Sequence, residues 1–250
     1  METHPSADVF DAISFDPQLF VLESIAPERI VVINLDRRPD RWDALLAAWH
    51  PDLASRFLRF SATDGRRLSG DRVDAYAAAR KLPKERAAAE IACRDSWRRA
   101  VIQNGPGLYF EDDARPCAPW SLGRPPADAE IVLLGGELWS KAREPGWVHA
   151  GAGLNGTHAL WIRTPQAAHR LTASWDESSN PNMPADFVWR SALEVCQAVL
   201  AVPQIVCQAN LGTDVQIGRI IPSHGPSLVD PWCSLASPVR PSRQSTSPQG

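Results

Sequence analysis

The chain has 250 residues, 44% hydrophobic and 22% charged, with a formal net charge of −3. That length suits one large α/β domain or two small ones, and the slight acidity gives no global attraction for polyanions, leaving only a local basic patch as a route to nucleic acid. No apolar run approaches the ~20 residues of a membrane span, and METHPSADVFDAI lacks both a basic start and a long apolar core, so a cytoplasmic protein without stable membrane insertion is expected. The five cysteines (Cys93, Cys117, Cys196, Cys207 and Cys233) are widely spaced and form no CxxC pair, which argues against structural zinc or a disulfide framework. Ten tryptophans are many for this length; indoles fill cores, and their faces also stack on sugar rings and bases.

Residues 1–28 are weakly patterned and read as a peripheral extension. Ile30–Leu35 (IVVINL) is a short β-branched run suited to a strand buried on both faces. Pro39 is placed to open a helix in which Trp42, Leu45, Leu46 and Trp49 share one face, and Pro51 stops it. Phe57–Ala62 reads as a second strand before a turn at Asp64-Gly65. Residues 84–104 read as a helix closed by Gly105, with Glu90, Cys93, Trp97 and Val101 on one stripe. Leu108–Phe110 is a short strand that runs into Glu111-Asp112-Asp113. Further strands are expected at Ile131–Leu134 and Ala159–Ile162, and Thr164-Pro165 supplies a helix cap and first turn. A helix at about 185–197 and a strand near 204–207 follow. From Pro222 to Gly250 there are six Pro and seven Ser, a composition expected to be disordered. Strands alternating with helices predict a three-layer α/β sandwich around a mostly parallel sheet.

Two segments carry the chemistry. Three adjacent carboxylates after an apolar strand repel one another, and a hard divalent cation such as Mg²⁺ or Mn²⁺ relieves that cost. Ligands of open α/β sheets gather outside the carboxyl ends of strands, where this cluster falls; an exposed acidic turn is the ordinary alternative. Asn34-Leu35-Asp36-Arg37-Arg38-Pro39-Asp40-Arg41 leaves the first strand at a helix start, and arginines there suit a diphosphate, or merely a solvated helix end.

Taken in order, VVINLDRRPDR (Val31–Arg41), ATDG (Ala62–Gly65), EIACRDSW (Glu90–Trp97) and YFEDDA (Tyr109–Ala114) resemble the motifs of glycosyltransferase family 25, which includes lipopolysaccharide and collagen galactosyltransferases. Gly156–Leu171, PADFVW (Pro184–Trp189) and, more faintly, Gln208 with Thr213-Asp214-Val215 are similar to later segments of that family. The likeness spans roughly residues 29–220, with Ala92, Trp97 and Leu160 where the family has Gly, His and Tyr.

The resemblance implies a GT-A fold, a Rossmann-like sandwich over residues 29–221, and inverting hexose transfer from a nucleotide-sugar, read as a UDP-sugar, to an acceptor hydroxyl. It implies that Glu111, Asp112 and Asp113 hold Mn²⁺ or Mg²⁺ against the donor diphosphate, and that Asn34, Asp36, Arg38, Arg41, Asp64 and Asp112 contact the nucleotide-sugar. An inverting transfer also needs a base for the acceptor proton; Asp186 in PADFVW is the candidate, with Glu137 and Asp214 in reserve. Trp97, His158 and Asp214 are the candidates for the acceptor side.

A bacterial surface glycan is the acceptor expected by default. Two alternatives stay open. One is a hydroxylated base in viral DNA, met by Arg94, Arg98 and Arg99 beside Trp97. The other is a nucleotide-sugar-binding module that has lost transfer, a reading that Trp97 in place of His favours.

Overall fold

The computed structural model describes residues 30–116, 124–138, 145–151, 154–176, 188–202 and 204–209. The expected N-terminal extension, the Pro/Ser-rich tail, Asp186 and Asp214 lie outside these residues.

In chain order the elements are β1 (Ile30–Asn34), α1 (Pro39–Ala48), α2 (Pro51–Ala54) and β2 (Phe57–Ser61). A 3₁₀ turn at Gly65–Arg67 leads to α3 (Asp71–Arg80), α4 (Lys84–Asn104), β3 (Gly107–Glu111) and β4 (Ala114–Pro116). Then come β5 (Ile131–Leu138), β6 (Gly146–His149), β7 (Leu154–Ile162), α5 (Pro165–Ser174), α6 (Arg190–Val195), β8 (Ala198–Val202) and β9 (Val206–Gln208).

Seven strands form one sheet in the order β2-β1-β3-β7-β5-β8-β6, and β4 with β9 forms a small second sheet. β1 pairs parallel with both β2 and β3, and β5 pairs parallel with β8, whereas β7 and β6 run against their neighbours. Five strands therefore point one way and two the other: the sheet is mixed, with a common direction for the strands that lead to the site.

β1 is buried along its whole length, so its side chains sort by alternation rather than by polarity. Val31 and Ile33 face a core with Trp97, Val101, Leu171, Trp175 and Trp189, supplied by α4, α5 and α6. Ile30 and Val32 face another with Leu45, Trp49, Leu53 and Phe110, supplied by α1, α2 and β3. Helices on both faces of one sheet make the three layers that the alternation of elements predicts.

The α1 stripe differs from expectation: Arg41, Leu45 and Trp49 are its buried positions, with Trp42 and Leu46 only half-buried. A charged residue takes the innermost place of the first turn because it has carboxylates to meet there. The helix expected at 185–197 is, among the described residues, Arg190–Val195, and Ala198–Val202 (AVLAV) is a strand. Short apolar runs fit either state, and here pairing with β5 decides. Helix α3 has no counterpart in the expected elements; its Val73, Tyr76 and Ala77 pack on Ala87, Ala88 and Ile91 of α4.

Candidate functional site

β1 and β3 lie side by side with Ile33 opposite Glu111, so Asn34 and the residues after Glu111 leave the sheet at one end. The chain turns after β1 through a bond from Arg38 N to Leu35 O (2.9 Å), and Pro39 opens α1 without a side-chain cap. Arg41 follows in the first turn, directed to the same sheet end.

Four expected site residues meet there. Asn34 Nδ2 donates to Asp112 Oδ2 at 2.7 Å and to the Arg38 carbonyl at 3.2 Å. Arg41 Nη2 bridges the two aspartates, 2.6 Å from Asp112 Oδ1 and 2.7 Å from Asp113 Oδ2. All three charged residues are almost fully enclosed, with 8%, 6% and 7% of Arg41, Asp112 and Asp113 exposed. Burial raises the Asp112 carboxyl above its ordinary value; the Arg41 charge and the Asn34 hydrogen bond oppose this without cancelling it.

Two further contacts fix Asp113. Gln208 Nε2 donates to Asp113 Oδ2 at 3.0 Å, and Ala209 N donates to the Asp113 carbonyl at 2.7 Å. These come from the last residue of β9 and the one after it, which the pairing of Ala114 with Gln208 draws to the site. Asp113 Oδ1 is buried and has no hydrogen-bond partner among the described residues.

Arg59 and Arg115 belong to the site but were not among its expected members. Arg59 Nε donates to Asn34 Oδ1 at 2.8 Å. Arg115 Nη1 donates to the Ala114 and Asp112 carbonyls at 2.7 and 3.3 Å. Only the strand register brings Arg59 to Asn34, and no local motif encodes it.

Glu111 takes a different direction. Its Oε1 accepts a 3.0 Å bond from Trp97 Nε1, on the α4 side. Trp97 is 1% exposed and packs among Tyr109, Trp175 and Trp189 at centroid distances of 6.1, 5.8 and 6.4 Å. Its ring is thus a core ring, packed in this aromatic cluster. β3 ends at Glu111 and the chain turns at Asp112 and Asp113, which parts Glu111 from the two aspartates, and among the described residues no three of His, Cys, Asp and Glu converge as a metal would require. The expected Mn²⁺ or Mg²⁺ set of Glu111, Asp112 and Asp113 does not fit this arrangement: one carboxylate is tied to an indole and the other two to a guanidinium.

The remaining expected contacts form a rim. Asp36 Oδ2 accepts from Ser61 Oγ (2.6 Å), and Arg38 binds Asp40 in an exposed pair that holds the Asp40 carboxyl below its usual value. Asp64 caps the 3₁₀ turn through Arg66 N (3.0 Å) and pairs with Arg37 (3.2 Å). A Cβ on Gly65 would lie 2.9 Å from Ala89 Cα, so this turn needs glycine to approach α4.

His158 is buried, with Nε2 3.0 Å from the Val206 carbonyl. A Cβ on Gly135 would fall 2.2 Å from that Nε2 and 2.3 Å from Val206 O, so β5 passes β9 only because residue 135 has no side chain. Glu137 lies opposite Asn155 at the same end of β5.

The arginines of the expected basic edge have partners within the chain. Arg94 is buried and donates to the Trp175 and Asp176 carbonyls at 2.8 and 2.6 Å. Arg98 pairs with Asp176 at 3.2 Å, and Arg99 lies 5.4 Å over the Phe60 ring. Among the described residues no helix is long and apolar enough to cross a membrane. Compared with known proteins, the chain matches no family model and no curated protein.

Proposed function

We propose that the chain is a glycosyltransferase that moves a hexose from a nucleotide-sugar, by preference a UDP-sugar, to an acceptor hydroxyl with inversion. One observation carries this reading: the INLDRRPDR and EDD segments, 70 residues apart in sequence, meet through Asn34, Arg41, Asp112 and Asp113. They do so at the carboxyl ends of adjacent parallel strands, where α/β sheets take nucleotides. The mixed α/β sandwich is compatible with a Rossmann-like architecture, and GT-A is the finer form proposed for it.

In such a transfer the acceptor oxygen attacks the anomeric carbon while the bond to the diphosphate breaks, and the nucleoside diphosphate leaves with the bonding electrons. The acceptor proton passes to a base, assigned to Asp186 with Glu137 in reserve. Asn34, Asp36 and Asp64 are proposed to hold base and ribose. Arg38 is proposed to reach phosphate, and its exposed pairing with Asp40 is weak enough in water to exchange for it. A bacterial surface glycan is the proposed acceptor.

The buried Trp97 favours a second reading, a binding module without turnover, because the position held by His in the resembled family carries no acid–base group here. Incubation with a panel of nucleotide-sugars, glycans and hydroxymethylated DNA, read by nucleoside diphosphate release, decides between them. Transfer by the wild type and its loss in Asp186→Asn, with donor binding kept, is the expected result. Donor binding without release supports the module, and absence of both binding and release contradicts the proposal.

A further inference from the structure

We propose that Arg41 is the resident counter-cation of the Asp112–Asp113 pair and that its occupancy closes the pair to a divalent metal. The inference concerns the charges of the pair and holds whichever ligand the site takes.

A divalent cation would need the carboxylate oxygens at about 2.0–2.6 Å. Arg41 Nη2 already sits 2.6 Å from Asp112 Oδ1 and 2.7 Å from Asp113 Oδ2. Two cations on the same oxygens repel at contact distance. The other oxygens offer little: Asp112 Oδ2 is held by Asn34, and Asp113 Oδ2 also takes Gln208. Asp113 Oδ1 alone has no partner among the described residues, and one oxygen does not make a six-coordinate site. Glu111, the third carboxylate, is anchored to Trp97.

Arg41 is also poorly placed to withdraw. It lies in the first turn of α1 on the stripe of Leu45 and Trp49, both packed in the core. The bridge from one nitrogen to both carboxylates holds them together as a metal otherwise would.

The test is a titration of the full chain with Mn²⁺ alone, following free Mn²⁺ by electron paramagnetic resonance and unfolding by circular dichroism. The wild type is expected to leave the free-ion signal as in buffer and its melting temperature unmoved. Arg41→Ala is expected to take up one Mn²⁺, with binding tighter by roughly tenfold or more, because the competing charge is gone. A folded Arg41→Ala protein that takes up no Mn²⁺ overturns the proposal. Should that variant not fold, the wild type decides together with Asp113→Asn. Stoichiometric uptake by the wild type that Asp113→Asn removes overturns the proposal; no uptake, or uptake that Asp113→Asn leaves intact, supports it.

Discussion

Asp112 and Asp113 share one guanidinium, so the pair carries more negative than positive charge within a nearly closed space. Burial is the main cause that raises the Asp112 carboxyl, with the neighbouring Asp113 adding to it, and the sign of the shift gives a pH dependence. A folded-state value above the ordinary 3.8 means that folding favours the protonated form. Asp112 therefore weakens the fold at neutral pH, and this penalty fades as pH falls through the folded value toward the ordinary carboxylate range. Asp112→Asn, which leaves Arg41 paired one-to-one with Asp113, is expected to hold or raise the melting temperature at pH 7. The gap to the wild type should close as the pH approaches about 4. A lower midpoint for the variant at pH 7 would contradict this account of the pair. Gly135 gives a second residue-scale test. Gly135→Ala places a methyl against both His158 Nε2 and Val206 O, and is expected to cost about 1–3 kcal/mol or more in chemical denaturation. Because the Val206 carbonyl is backbone, His158→Ala in the same chain should not restore the loss.

At the scale of elements, helix starts follow their chemistry. Thr164 Oγ1 accepts from Ala167 N at 3.1 Å and caps α5, so Thr164→Ala should lower stability by about 1 kcal/mol. In α4, Trp97 packs at a tilt in the indole cluster and donates to Glu111. Trp97→His, the residue type of the resembled family, is therefore expected to cost about 3 kcal/mol or more rather than to improve the site; a neutral effect in thermal unfolding would refute the core role. These elements also show what the sequence makes legible. IVVIN, the Pro39 start, the Gly105 stop and the Thr164 cap are local signals, and the matching elements form where those signals stand. The carboxylate cluster was legible as a place but not as a geometry. Glu111 is the last residue of β3 while Asp112 and Asp113 form the turn that follows, so Glu111 parts from both. Arg41 was legible as a cation near phosphate, whereas its bridge to both aspartates depends on strand register and helix phase together. Arg59 and Gln208 reach the site from strands far away in sequence, and no spacing rule links them to Asn34 or Asp113.

For the whole molecule, the sheet order places the ends of β1 and β3 together, and the β4–β9 pair closes over Asp113 from the far side of the sequence. Three helical and strand layers converge there without a membrane-crossing helix among the described residues. Were this the donor site, a nucleotide-sugar should order the segments around it and little else. Hydrogen–deuterium exchange with and without saturating UDP-sugar measures this directly. The account predicts slowed exchange over residues 34–42, 109–115 and 206–209. Slowed exchange confined to a distant face, such as the start of α5 at Pro165–Arg170, or no change for any nucleotide-sugar tried, would contradict it.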